Sequence, residues 1–273
     1  MALSVVDLYK TVLPQSNCRD CGFPTCLAFA GKVVSEQYPL NNCPHIPPDV
    51  LATSQAELAQ QYAEGKWLRR DLAADALKWA KERAASLNAA DLPARLGGEL
   101  LAGEHGPELR LPYFTAFLRI AGSDIRREDG YELGRYEQVF ILNHLAQGGW
   151  KKPSGIWKGF IEFPNTVSKA VTMEKAVERP LAARFAGKTA ELRQRALALG
   201  ATDLTLADST AQLALRLTPL PRLPVALLFW DGGGDFAAQA KLMFDATITE
   251  HLDIESIVFL SERIRQLLCG DEA

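Results

Sequence analysis

The cysteines constrain this chain more than any other feature. Four of its five lie at Cys18, Cys21, Cys26 and Cys43, spaced C-x2-C-x4-C-x16-C, in a chain of 273 residues. Thiols grouped this closely either bridge one another or bind metal, and both outcomes tie the first part of the chain into a small cross-linked fold. Disulfides need an oxidising compartment. The chain opens MALSVVDLYKTVL, with no basic leader and with Asp7 interrupting any apolar signal core. A reducing, cytoplasmic setting is therefore expected, and metal ligation with it. A structural zinc site usually pairs two C-x2-C knuckles, whereas here three cysteines bunch and the fourth stands alone. Thiolates are the usual protein ligands of iron-sulfur clusters, four to a cluster. An iron-sulfur cluster is the expected cofactor. Spacing leaves its nuclearity open, because plant-type two-iron sites also bunch three cysteines, with the gaps in reverse order.

The neighbours of the cysteines suit such a cofactor. Gly22 lets the backbone turn tightly after Cys21, and Pro24 presets a first helical turn. A helix from about Thr25 to Gln37 then points its positive end at an anionic cluster. Phe23, Leu27, Phe29 and Ala30 supply an apolar wall, and Pro44 stops the loop that brings in Cys43. His45, two residues beyond that ligand, is placed either to tune the cluster through local charge or to point into solvent past Pro44. Cys269, in the last turn of a terminal helix beside Gly270, reads as a free thiol.

The stretch from Leu8 to about Gln61 contains Asn17-Cys18, Cys21-Gly22, Thr25-Cys26, Ala28-Phe29-Ala30 and the distant Cys43-Pro44. It resembles the four-cysteine [4Fe-4S] domain at the start of the corrinoid iron-sulfur protein large subunit. The same domain type occurs in the Rnf electron-transport complex and in reductive activators of corrinoid enzymes. The resemblance implies that Cys18, Cys21, Cys26 and Cys43 all ligate one [4Fe-4S] cluster, in anaerobic metabolism. From about Leu109 onward the chain resembles an uncharacterised domain family often placed behind this module, on LPYFTAFLRIAG, ILNHLAQG and LPVALLFWDGGGDFAAQAKLMFDATITEHLDIES. That resemblance carries no activity and no catalytic residue.

The remaining sequence bounds the possibilities. A net charge of -3 gives no basic footprint for nucleic acid. The longest apolar run after Pro224 is Val225 to Trp230, far short of the roughly 20 residues of a spanning helix, so no transmembrane segment is expected. The expected organisation is a cluster domain at 1–60, a helical connector and linker at 61–108, and an α+β domain at 109–273. An opening helix should bury Val5, Leu8, Val12 and Leu13. Helices from Asp49 to Leu87, broken near Gly65, should bury Leu68, Leu72, Ala76 and Trp79. Residues 88–110, with Pro93, Gly97, Gly98, Gly103, Gly106 and Pro107, read as a loop-rich linker. Beyond them come a hairpin through PYFTAFLRI and Ile125, and a helix burying Val139, Leu142 and Leu145. Two or three helices over Thr172–Leu199 follow, ending at Gly200. Strands are expected at Thr202–Ala207, Gln212–Leu217 and Val225–Trp230, and closing helices near Asp235–Thr247 and Asp253–Leu268. Helices bunched beside strands, not alternating with them, argue α+β.

Four features of the second domain bear on function. Asp231-Gly232-Gly233-Gly234-Asp235 offers amides to a phosphate, but its aspartates oppose an anion, so a turn with Asp235 as helix N-cap is expected. His144 and His251 lack partners at ligand spacing and read as ordinary partly buried or surface residues. The loop Gly148-Gly149-Trp150-Lys151-Lys152-Pro153, with Trp157 and Phe160, is the best recognition surface, set against the simpler reading that its tryptophans anchor it on the core. The functions in play are one-electron transfer to a redox protein partner, an enzyme or reductive activator whose second domain is supplied with electrons, and a structural or regulatory cluster. Oligomeric state is not encoded in these features.

Overall fold

The computed structural model describes residues 3–66, 72–85, 87–103, 106–206, 209–233 and 236–271, and the chain divides after Asp71 into two units. In the first, α1 (Val5–Asp7) opens on a capping box. The Ser4 hydroxyl accepts from the Asp7 amide at 3.2 Å, and the Asp7 carboxylate accepts from the Ser4 amide at 3.1 Å. A π turn over Leu8–Val12 follows, and of the expected apolar face Leu8 and Leu13 are buried while Val5 and Val12 are partly so. α2 (Cys26–Glu36) starts at Thr25, whose hydroxyl accepts from the Ala28 amide at 3.1 Å, and stops at Gln37 in the left-handed region. α3 (Pro48–Ala63) begins with proline in its first turn, where the missing N–H costs nothing. The Tyr62 hydroxyl donates to the Val33 carbonyl at 2.5 Å and pins α3 to α2.

The second unit begins with α4 (Leu72–Ala85). Trp79 is 60% exposed, and the buried stripe is Ala80 and Ala84 with Leu77 beside them. The expected face was thus misplaced: alanines let α4 approach a neighbouring helix closely, and the large residue turns outward. Leu68 lies outside the described residues, as does the side chain of Leu72.

Residues 88–110 are not a linker. They form α5 (Leu92–Leu96), β1 (Glu99–Gly103) and most of β2 (Gly106–Tyr113). The glycines serve close approach: a Cβ on Gly98 would lie 2.6 Å from the Arg110 carbonyl oxygen, and one on Gly103 2.6 Å from the Glu108 side chain. With β3 (Ala116–Ala121) and β4 (Asp124–Arg127) they make an antiparallel meander in the order β1-β2-β3-β4. Its inner face buries Leu109, Leu111, Tyr113, Leu118 and Ile120. Its outer face carries charges in register, with Arg110 between Glu99 and Glu128 and Glu108 between Arg119 and Arg126.

α6 (Arg135–Gln147) buries the expected Val139, Leu142 and Leu145 and also Phe140, Ile141, Asn143 and His144, so it is a core helix covered on nearly all sides. After β5 (Trp157–Gly159) come α7 (Val167–Met173), a π turn at Glu174–Glu178, α8 (Arg179–Phe185) and α9 (Thr189–Ala198). Gly200, at φ +82, ends the run. β6 (Thr202–Asp203), β7 (Leu213–Leu217), β8 (Val225–Trp230) and β9 (Gln239–Asp245) complete an antiparallel sheet ordered β5-β9-β8-β7-β6.

β9 replaces the helix expected near Asp235–Thr247. Ala240, Leu242 and Phe244 turn inward while Gln239 and Lys241 turn out, the period of two that the larger apolar content of the segment obscured. Asp235 itself lies outside the described residues. α10 (Ile254–Cys269), capped by Asp253, buries Ile257, Leu260 and Ile264 and packs against α6, α7, α8 and α9. β5 pairs only with residues 243–245 of β9. Over the uncovered stretch Glu178 accepts from the Leu242 amide at 3.4 Å and pairs with Lys241 at 3.0 Å, closing an otherwise open sheet edge. The architecture is α+β, a mostly helical unit followed by a unit with two antiparallel sheets.

Candidate iron-sulfur site

The loop from Gln15 to Cys26 is built from turns that few side chains tolerate. Gln15, Asn17, Arg19 and Gly22 all have positive φ, between 50° and 82°. Only Gly22 adopts this freely; the other three hold a strained backbone that must be over-determined by its surroundings. One such constraint is Asn17, whose Oδ1 accepts from the Cys26 amide at 2.8 Å, tying the start of the loop to the first turn of α2. A second is the Arg19 carbonyl, which accepts from the Gly22 amide at 2.8 Å. Cys43 arrives after a single 3-10 turn, Leu40–Asn42.

The four sequence-predicted thiols end in one place. Cys26 and Cys43 are buried, Cys21 is half-buried and Cys18 is exposed. Burial pushes the Cys43 thiol up; the His45 amide, donating to its sulfur, opposes this, and the neighbouring Cys21, Cys26 and Cys18 raise it further. Each of the other three is therefore close enough to act electrostatically on Cys43. Behind them Phe23, Phe29 and Tyr38 pack edge to face with centroids 5.3 to 6.1 Å apart, and Leu8, Leu40 and Ile46 complete a dry wall. Such a set of soft thiolate donors, an apolar shell and an amide aimed at one sulfur fits an iron-sulfur cluster. In front, the Asp20 carboxylate lies 2.6 Å from His45 Nε2. His45 first, and the Cys18 thiol second, hold Asp20 below the usual carboxylate range.

Two family models match. Residues 13–45 match a family described as "Putative Fe-S cluster", and residues 88–266 match one described as a domain of unknown function, DUF3786. The second covers more than half of the chain. The chain belongs to the DUF3786 family. Ahead of its DUF3786 body it carries an iron-sulfur-cluster domain similar to those of known iron-sulfur subunits. That part is 43% identical over 42 residues to the acetyl-CoA decarbonylase/synthase complex subunit gamma of Methanocaldococcus jannaschii, covering 15% of this chain and 8% of that protein. It is 46% identical over 46 residues to the corrinoid/iron-sulfur protein large subunit of Moorella thermoacetica, covering 17% and 10%. The chain thus spans about a tenth of the length of the curated relatives it matches. No solved structure matches it. Among the described residues no helix is long and apolar enough to cross a membrane.

The DUF3786 body places the other sequence candidates differently from expectation. His144 and His251 are fully buried, with ring centroids 5.5 Å apart, because α6 and the turn before α10 meet there. The His144 Nδ1–H donates to the His251 carbonyl at 3.4 Å and the His251 Nε2–H to the Lys151 carbonyl at 3.1 Å. Burial, then His251, pushes His144 down to about 3. Burial disfavours the charged form of both rings. Trp150 does not anchor its loop: it is 63% exposed, while Phe160 is buried. The loop is held instead by polar groups. Arg95 donates to the Gly148 and Leu145 carbonyls, and Asp245 accepts from the Ser154 and Gly155 amides at 3.0 and 2.7 Å. Asp231 accepts from Gly187, Thr189 and Gly232, which makes it a turn-fixing residue. Cys269 is a partly buried thiol whose pKa burial raises.

One constellation escaped the sequence reading. At the start of α6 the Glu137 carboxylate accepts from the Tyr113 hydroxyl at 2.5 Å, Arg263 Nε at 3.1 Å and the Gly134 amide at 3.1 Å. It forms the floor of a cleft of about 330 Å³ walled by Tyr131, Tyr136 and Phe259. Glu262, also lining it, is half-buried, and burial raises its pKa. No spacing could have revealed this group, whose members come from β2, α6 and α10.

Proposed function

We propose that the N-terminal unit binds one [4Fe-4S] cluster through Cys18, Cys21, Cys26 and Cys43 and exchanges single electrons with a redox protein partner. The observation that carries this reading is the grouping of all four thiols, near enough to act on one another electrostatically, against an apolar wall. When bound, such a cluster supplies one-electron chemistry. A full set of thiolates leaves no open iron for substrate. The roles left to the chain are to exclude water with Phe23, Phe29 and Tyr38, to hold sulfur potentials through the His45 amide, and to present the Cys18 edge to solvent. The relatives named above, one from an acetyl-CoA decarbonylase/synthase complex and one a corrinoid/iron-sulfur protein subunit, support a protein partner. The test is anaerobic purification with iron and sulfide counting, then potentiometric titration followed by electron paramagnetic resonance. Four irons and a reversible low-potential signal are expected; zinc, or a cluster that never reduces, would defeat the reading.

One observation favours a second reading, that the DUF3786 body binds a small substrate served by these electrons. It is the cleft at α6, where the Glu137 carboxylate fixes an arginine and a half-buried acid stands beside aromatic walls. Titration of the full chain with small polar ligands, read by tyrosine fluorescence, checks it. A response abolished in Arg263→Leu would support it, and silence across the set would remove it.

A further inference from the structure

The four cysteines are unequal, and the exposed one has company. The Cys18 sulfur, an Asp20 carboxylate oxygen and a His45 ring nitrogen all lie within 4.8 Å of one another, a separation that one metal ion can bridge. Among the described residues no other group of three such donors is found. Asp20 and His45 reach this point from opposite ends of the cysteine run and are joined to each other at 2.6 Å, so both are held facing Cys18. Around Cys26 and Cys43 the neighbours are instead Phe29, Leu40 and Ile46, which offer iron nothing.

We infer that Cys18, Asp20 and His45 form a single iron-holding corner, in which the carboxylate and the imidazole are reserve ligands that keep the iron when the thiolate is lost. The inference rests on the cluster reading above. Carboxylate and imidazole are ordinary donors to iron, and imidazole replaces thiolate on one iron of Rieske centres, where it raises the potential. In the exchange the iron–sulfur bond to Cys18 breaks and an iron–oxygen bond from Asp20 or an iron–nitrogen bond from His45 forms. No electron moves; where His45 ligates through Nε2, the proton it shares with Asp20 passes to the freed thiolate, and where Asp20 ligates, the thiolate takes its proton from water. The corner is thereby the one at which the cluster opens without falling apart, while the buried thiolates have no substitute.

The experiment compares full-length wild type, Cys18→Ala, Cys26→Ala and the triple variant Cys18→Ala/Asp20→Asn/His45→Gln, each reconstituted without oxygen and labelled with 15N-histidine. Iron is counted, the reduced spectrum recorded, and nitrogen coupling measured by pulsed resonance. Cys18→Ala is expected to keep four irons with a raised potential and, where His45 ligates, a directly bonded 15N coupling. The triple variant should fall to three irons and Cys26→Ala should lose the cluster. Three irons or none in Cys18→Ala, or four in the triple variant, would overturn the inference while wild type keeps its cluster. A wild type without a cluster would overturn both readings. A second measurement leaves every cysteine in place: ferricyanide takes one electron from the cluster, and the corner iron leaves as the ferrous ion. Asp20→Asn/His45→Gln should pass to the three-iron form several-fold faster than wild type, and an unchanged rate would count against the corner.

Discussion

The cluster unit and the DUF3786 body assemble their polar chemistry in opposite ways. In the first, the reactive groups are close in sequence and the fold's task is to bend a short loop around them, at the cost of left-handed residues at Gln15, Asn17 and Arg19. In the second, Tyr113, Glu137 and Arg263 are brought together by whole elements, and the link from α6 to α10 spans 126 residues. A unit of the first kind is expected to depend on its metal, and one of the second kind on its core. Small cores are easily outweighed by a lost cofactor.

The sharpest way to break that contrast is Cys26→Ser. Loss of the cluster is expected, with the cluster unit losing protection in hydrogen exchange while the DUF3786 body keeps its own. Collapse of both together would show that the body, too, depends on the metal. Next in size is Glu137→Leu, which leaves Arg263 without its partner in a site where both are largely buried. It should cost the body about 3 kcal/mol in denaturant unfolding and leave the iron count untouched.

Acid offers a graded version. His144 is neutral in the folded body, with a pKa of about 3 against an ordinary value of 6.5. The unfolded chain therefore binds a proton that the native one refuses. Stability is complete above about pH 6.5 and falls as the pH drops toward 3, by about 2 kcal/mol at pH 5. His251, lowered by burial, acts in the same direction. Replacing His144 by Asn should flatten that slope by about one proton; an unaltered slope would mean the ring is charged in the native state. The smallest effect expected is Thr25→Ala, which removes the cap of α2 and should cost about 1 kcal/mol, lowering the cluster unit's midpoint without changing the spectrum.

What could be read from the sequence divides along the same line. The α2 boundaries were legible because Thr25 and the run to Gln37 carry their own start and stop signals, and the cysteines because their spacing is local. β9 was missed because QAKLMFD has helix formers at most positions, and the buried sheet beside it overrides that propensity. β1 was missed because Gly98 and Gly103 look like breakers until the strand that presses on them is known. The buried histidine pair and the Glu137 cleft were invisible for a further reason: each exists only where distant elements cross.

Glu178 has a consequence beyond its own unit. A sheet whose outer strand is half unpaired is a template, and a strand of another molecule could bond to the amides around Leu242 and lengthen the sheet. The single carboxylate that occupies the Leu242 amide, supported by Lys241, ends the hydrogen-bond pattern inside the molecule. The π turn that sets Glu178 at that height thereby removes one docking point for a foreign strand.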